Sequence, residues 1–261
     1  MSPHHEAELI TTMHASKDRL APAWRTVLER NGLASFEALW AIDAPDVDEP
    51  NRRGDAYRRV ARLELPDDDG VVRVVFVKRQ EEWWVRDFPR HRLASAAEAR
   101  NLRGMRADGL PVPEVVFAGR RVVAGRHVGI IVTAARPGVP LDQALESAKD
   151  LANRRAIIAR AARAVRAMHD RHWRHCSLYA KHILIDGDRV SFIDVERSRR
   201  WPIGLRRGRR DLESLARRST FASMTDRLHF LQSYMRTEGL TPQLRALWSR
   251  VGDRVRKKMA R

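Results

Sequence analysis

The feature that most constrains this chain is the stretch RHCSLYAKHILIDGDRVSFIDVERSR, from Arg174 to Arg199. It reads as a tight loop, a short apolar strand, a turn at Asp186-Gly187-Asp188, and a second apolar strand that ends in an acid, Asp194. A carboxylate delivered at a strand end is a hard oxygen ligand suited to Mg²⁺, although an acid in that place alone is more often a turn or cap residue. The rest of the chain has to supply the body that carries this loop.

The first half is rich in strand signals. Residues 16–31, SKDRLAPAWRTVLERN, have the spacing of a short amphipathic helix that Asn31-Gly32 would end. IDAPDVDEPNRRGD then reads as a loop. AYRRVARLEL and VVRVVFVK, separated by PDDDG, read as a hairpin of one half-buried and one more buried strand. LASAAEARNLRGMR, Leu93 to Arg106, has helical spacing, and VPEVVFAGRRVVAGRHVGIIVTAA gives two or three further strands.

The character changes at RPGVPLDQAL. DLANRRAIIARAARAVRAMHDRHW is expected to be a long amphipathic helix with Leu151, Ile158, Ala162, Val165 and Met168 on one face. After the two short strands, RDLESLARRS, TDRLHFLQSYMRTEG and TPQLRALWSRVGDRVRKKMAR all read as helices. The expected architecture is α+β and two-lobed: an N-terminal helix and loop extension over 1–50, a small antiparallel-sheet lobe with one helix over 51–135, and a helical lobe over 136–261, with any site between the lobes.

Lys78 closes the apolar strand VVRVVFVK, and Glu98 lies 20 residues later on the alanine-rich helix, where it could hold that lysine against a phosphate. Each residue alone is best read as an ordinary strand end or an exposed helix position. Together, a strand-end lysine, a glutamate on the next helix, a long helix, a histidine-bearing loop and a strand ending in aspartate follow the order of the protein-kinase fold. One position departs from it. Counting back five residues from His182, where the loop should carry the aspartate that takes the proton of the acceptor hydroxyl, lands on Ser177. A neutral hydroxyl cannot take that charge, and a lost base typically costs about 10²–10⁴ in rate. Three readings stay open: a slow kinase in which His175 or a water replaces the aspartate, a pseudokinase that binds without transfer, and a shifted register.

The stretches RHCSLYAKHILI with FIDVERSRR, and RRDLESL with TDRLHFLQSYM, resemble the lipopolysaccharide kinase family of Kdo and core-heptose kinases (Kdo/WaaP type). FVKRQEEWW around Lys78 and AAEARNLRGMRADGLPVPE around Glu98 agree, and the likeness covers roughly residues 55–240. The resemblance implies a kinase-like fold that uses ATP and Mg²⁺ to phosphorylate a Kdo or heptose. It implies that Lys78 contacts the α/β-phosphates and pairs with Glu98, that Asp194 binds Mg²⁺, and that His182 stands at the second metal position. It further implies that Asp211 anchors the catalytic loop, that Ala135 belongs to the adenine-receiving hinge, and that Gly54 alone stands for the glycine-rich loop.

A net charge of +17 calls for an anionic partner, and 44 of the 50 cationic residues are arginine. The run ERSRRWPIGLRRGRRD follows the metal strand with arginines at 197, 199, 200, 206, 207, 209 and 210. Arg197, Arg199 and Arg200 are the candidates to hold the phosphates of a lipopolysaccharide-core saccharide; an ordinary solvated basic face is the competing reading. No zinc, helix-turn-helix or aromatic-interleaved RNA signature supports a nucleic-acid partner, and a basic acceptor face argues against cationic drugs as substrates. One cysteine and no secretory or transmembrane pattern place the chain in the cytoplasm, with peripheral contact at the inner membrane a further expectation.

Overall fold

The computed structural model describes residues 18–47, 49–87, 90–201 and 208–259. Two compact units result: unit 1 comprises the described residues to Gly104 with Pro113–Ala135, and unit 2 comprises Met105–Val112 with Arg136 onward.

Unit 1 is built on the β-branched segments of the first half. Six strands form one antiparallel sheet: β1 (Arg19–Leu20), β2 (Asn51–Arg53), β3 (Ala56–Pro66), β4 (Val72–Glu81), β7 (Val115–Val123) and β8 (Arg126–Ala134), in the order β1-β7-β8-β4-β3-β2. β5 (Trp84–Asp87) and β6 (Arg90–Leu93) make a separate hairpin that leads into helix α3 (Ala94–Ala107). Alternation along the strands separates two faces. Leu65, Val75, Val77, Phe117, Ile130 and Val132 join Trp24, Leu28, Phe36 and Leu39 in one core. Burying each such side chain contributes about 1.5–3 kcal/mol, so the N-terminal segment is part of the body of unit 1. It is also clamped from outside, because Arg121 pairs with Asp18 at 2.6 Å and lies 4.4 Å from the Phe36 ring.

The helix expected over 16–31 does not form as one piece. Residues 16 and 17 lie outside the described residues, and no helix begins at Asp18: Arg19–Leu20 pairs with β7, Pro22–Trp24 is one 3-10 turn, and only α1 (Arg25–Arg30) is α-helical. Pro22 explains the break, since the residue before a proline is pushed to extended backbone. Ala21 is extended, and its N–H goes to the Val116 carbonyl instead of a helical partner. A second short helix, α2 (Phe36–Trp40), is capped by the Ser35 side chain.

Unit 2 is mainly helical: α4 (Leu141–Glu146), α5 (Leu151–Asp170), α6 (Arg209–Arg218), α7 (Met224–Met235) and α8 (Pro242–Met259). A three-stranded sheet orders β12 (Arg189–Phe192), β11 (Ile183–Asp186) and β9 (Val139–Pro140), while β10 (Trp173–Arg174) pairs with β13 (Arg199–Arg200). α5 buries Ile157, Ile158, Ala161, Ala162, Val165, Met168 and His169. Leu151, expected on that face, is 58% exposed. One turn further on, Arg154 occupies the inward position, bonding Asp226 at 2.8 Å and the Leu145 carbonyl at 2.7 Å. The helix also stops short of Trp173, because His172 turns to φ +63° and the chain leaves as β10.

Candidate active site

In unit 1, β4 lies between β3 and β8, and Lys78 is paired in register with Val60 and Ile131. Its Nζ donates to Glu98 Oε2 at 2.7 Å. Both side chains are largely buried, so removing either would strand a charge at a cost of about 3–5 kcal/mol. Gly54 is the first of two turn residues between β2 and β3, at φ +58°. Glycine suits that position because the turn needs a left-handed residue there. Ala135 is the last residue of unit 1, and its N–H donates to the Val74 carbonyl at 2.9 Å.

In unit 2, the loop from His175 to His182 is organised around Asp211, in the first turn of α6. One carboxylate oxygen accepts the His175 N–H at 2.7 Å and the other the Cys176 N–H at 2.9 Å. His169 Nε2 lies 3.2 Å from the first oxygen, and its Nδ1 lies 2.9 Å from the Tyr234 hydroxyl. With Nε2–H donating to the carboxylate, Nδ1 accepts from Tyr234. Burial pushes the Asp211 carboxyl up, but the His169 bond, nearby histidines and backbone N–H groups outweigh it and hold the group below the usual carboxylate range. Burial likewise pushes the Tyr234 hydroxyl up, so it stays protonated to donate.

The Asp211 bonds hold Cys176 in place at φ +64°, a left-handed conformation for a non-glycine residue, and Asp194 is left-handed as well at φ +58°. Such conformations cost on the order of 1 kcal/mol or more and persist only where surroundings fix them. His175 contributes by stitching the loop to the segment that leads into Asp194. Its ring is fully buried, Nε2 donates to the Ile193 carbonyl at 3.0 Å, and burial lowers its pKa so that it stays neutral. His175, one of the alternatives for the missing base, therefore has no exposed atom.

His182 Nδ1 is 2.8 Å from the Ser177 carbonyl, which only accepts, so Nδ1 carries the proton. Burial lowers the His182 pKa to about 4, opposed in part by Asp194. The neutral ring then turns the Nε2 lone pair toward Asp194 Oδ2 at 3.3 Å. Two acceptors at that distance form a donor pair for a cation rather than an ion pair. The Asp194 carboxylate and the His182 nitrogen would hold a Mg²⁺ here, with phosphate and water as its remaining ligands. Among the described residues no cluster of three or more His, Cys, Asp or Glu side chains suits a metal. Ser177 itself is buried beside this pair, and burial raises the Cys176 thiol, which makes it an inert loop residue.

Among the described residues the arginine run does not present a continuous free face. Arg197 is exposed, Arg199 and Arg200 form β13, and Arg200 pairs with Asp108 at 2.9 Å. Arg209 pairs with Glu213 at 3.1 Å, and Arg206 and Arg207 lie outside the described residues. Sequence reasoning missed His169, Tyr234 and Asp108. A histidine and a tyrosine on buried helical faces look like core residues, and only the partners reveal otherwise.

The family model described as lipopolysaccharide kinase (Kdo/WaaP) family matches residues 37–234. Among solved structures the chain is similar to "WaaP in complex with acyl carrier protein", at 25% identity and a TM-score of 0.63, over 93% of this chain and 99% of that one. Curated proteins contain no significant match. The kinase-like α+β fold read from the sequence agrees with both findings.

Proposed function

Because the chain belongs to the lipopolysaccharide kinase (Kdo/WaaP) family, we propose that it transfers phosphate from ATP to a Kdo or heptose hydroxyl of the lipopolysaccharide inner core, at the cytoplasmic face of the inner membrane. The observation that carries this reading is the Lys78–Glu98 pair, a buried ammonium fixed at 2.7 Å on a central strand. Lys78 would bind the α/β-phosphates while Glu98 orients it, Ala135 would meet the adenine, and Gly54 would cover the phosphates from the hairpin tip. Asp194 and His182 would hold Mg²⁺, whose chemistry is to neutralise charge developing on the transferred phosphoryl group. Arg197 would receive the anionic acceptor, with Arg199 and Arg200 beside it.

Ser177 can orient the acceptor hydroxyl by a hydrogen bond but cannot keep its proton. Phosphoryl transfer tolerates that loss because its transition state is loose and depends mainly on positioning and charge. His175 takes no part as base, since its ring is enclosed. Lys78→Ala and Asp194→Ala should each abolish ATP-dependent phosphorylation of a core oligosaccharide; turnover surviving both changes overturns the proposal.

Ser177 also supports a second reading, a catalytically impaired module of the same fold that binds nucleotide, lipopolysaccharide or a partner protein. By likeness to its solved neighbour, acyl carrier protein is one partner to test. Unit 2 holds an apolar cavity of about 300 Å³, lined by Leu145, Ile158, Leu215, Phe230 and Trp248 among others, that suits an apolar chain. Co-purification with acyl carrier protein in the absence of any turnover would favour this reading.

A further inference from the structure

The hairpin that stands in the place of a glycine-rich loop has one glycine in a two-residue turn. Such a turn offers few backbone N–H groups for a phosphate, and the Asp55 carbonyl at its tip already accepts from Arg126 at 2.7 Å. What the hairpin does carry is guanidinium. Arg53 is paired with Ala56, Arg58 with Gln80, and Val60 with Lys78. Side chains directly opposite in an antiparallel pair share a face, and successive residues alternate. Arg53, Arg58 and Lys78 therefore lie on one face of the sheet, the face on which Lys78 meets Glu98. Arg52 lies on the other face, 5.2 Å from the Tyr57 ring.

The guanidinium carbons of Arg53 and Arg58 are 4.7 Å and 5.1 Å from the centre of the same ring, Trp83. That ring is buried and packed with Val85, Ala94 and Ala97, so it is a fixed platform. A guanidinium held over an indole can still turn N–H groups outward for a two-pronged contact with an anion, and Arg53 is the exposed one of the two. Charge leads to the same place. Glu98 cancels the charge of Lys78, so a triphosphate meeting this face needs further cations, and the exposed Arg53 is suitably placed on it.

Resting on the ATP reading above, we infer that Arg53 is a guanidinium clamp for the β- and γ-phosphates of the nucleotide. Its side chain does what backbone amides do in a glycine-rich loop, and the Trp83 ring, 4.7 Å from it, sets its place.

The test is calorimetry on the full chain with Mg²⁺ and ATP, ADP, AMP or adenosine, without acceptor, for wild type, Arg53→Ala, Arg53→Lys and Arg52→Ala. Losing a charge-assisted contact should weaken ATP binding by about tenfold or more in Arg53→Ala, with a smaller loss in Arg53→Lys. AMP and adenosine binding should stay unchanged, and Arg52→Ala, which removes the same charge from the opposite face, should match wild type. Equal losses in Arg53→Ala and Arg52→Ala would reduce the effect to diffuse charge and overturn the clamp. So would wild-type ATP affinity in Arg53→Ala. If wild type binds no ATP, the nucleotide reading falls and takes the clamp with it; if wild type binds and Arg53→Ala binds equally, only the clamp falls.

Discussion

Asp211 uses both carboxylate oxygens on two backbone N–H groups and one imidazole, all inside the protein. Asp211→Asn presents an amide N–H₂ where a backbone donor stands, so at least one buried donor loses its acceptor. The expected loss is about 3 kcal/mol of stability, read as a lower urea midpoint, with loss of any turnover as the loop relaxes. The neighbouring histidines set a pH dependence whose sign follows from their direction. His182 sits near pKa 4 in the folded chain against 6.5 ordinarily, and His175 is lowered as well. The unfolded chain thus binds more protons between those values. Their contribution is complete above about pH 6.5 and falls as pH drops toward 4, on the order of 3 kcal/mol for His182. Asp211, held below its ordinary 3.8, adds a further loss only in more acidic solution. Urea titrations at pH 7 and pH 4.5 should show the decline, and His182→Asn should flatten it; a pH-independent midpoint would contradict the burial argument. At the remaining position, Ser177→Asp supplies the absent base and should raise turnover by about 10² if the chain is a slow kinase. Unchanged turnover with intact ATP binding would favour the non-catalytic reading. Lys78, Glu98 and Asp194 could be singled out in the sequence from strand ends, helix spacing and motif order, and Asp211 from the family resemblance of RRDLESL. His169 and Tyr234 were not, because their role exists only once α5, α6 and α7 bring them to one carboxylate.

Elements meet closely at the start of α6. A Cβ on Gly208 would lie 2.5 Å from His169 Nδ1, 2.8 Å from its Cε1 and 2.9 Å from the Tyr234 hydroxyl. The His169 ring cannot swing aside without losing Asp211 or Tyr234, so the first turn of α6 can seat on α5 only through glycine. Gly208→Ala should cost about 1–3 kcal/mol and should disturb the loop as Asp211→Asn does, although it touches no charge. A wild-type melting temperature in Gly208→Ala would show that α6 shifts freely. The sequence made the long elements visible for physical reasons. Ala56–Pro66 and Val72–Glu81 alternate, and Ala94–Ala107 and Leu151–Asp170 repeat at helical spacing. It concealed the short ones: Arg19–Leu20, Trp84–Asp87, Trp173–Arg174 and Arg199–Arg200 are strands because of their partners, and two to four residues are too few to show a period. Pro22 was readable as a helix break and outweighs the amphipathic spacing around it. Leu151 was misassigned because periodicity cannot say that an ion pair, Arg154 with Asp226, will take the inward place.

At the scale of the whole chain the dominant quantity is charge, +17 over 261 residues. Much of the ion pairing among described residues is at the surface, and exposed pairs of this kind contribute about 0–1 kcal/mol each, so the arginine excess does little for the fold itself. Its physical consequence is a long-range field that attracts anionic surfaces. No described helix is long and apolar enough to cross a bilayer; if association with the inner membrane follows the proposed function, the net charge gives it an electrostatic route. Basic side chains near an anionic leaflet contribute about 1 kcal/mol each, and the range of that attraction shrinks from about 10 Å at 0.1 M salt to about 3 Å at 1 M. The expected result is co-sedimentation with vesicles containing anionic lipid at low salt, weakened by about tenfold or more between 0.05 M and 0.5 M salt, and none with neutral vesicles. Arg197→Glu should weaken it only slightly if the field is spread over the molecule, but strongly if the segment after Asp194 is itself the contact. Salt-insensitive binding, or equal binding to neutral vesicles, would require apolar insertion and would remove the electrostatic account of how a chain of this composition meets a lipid-borne substrate.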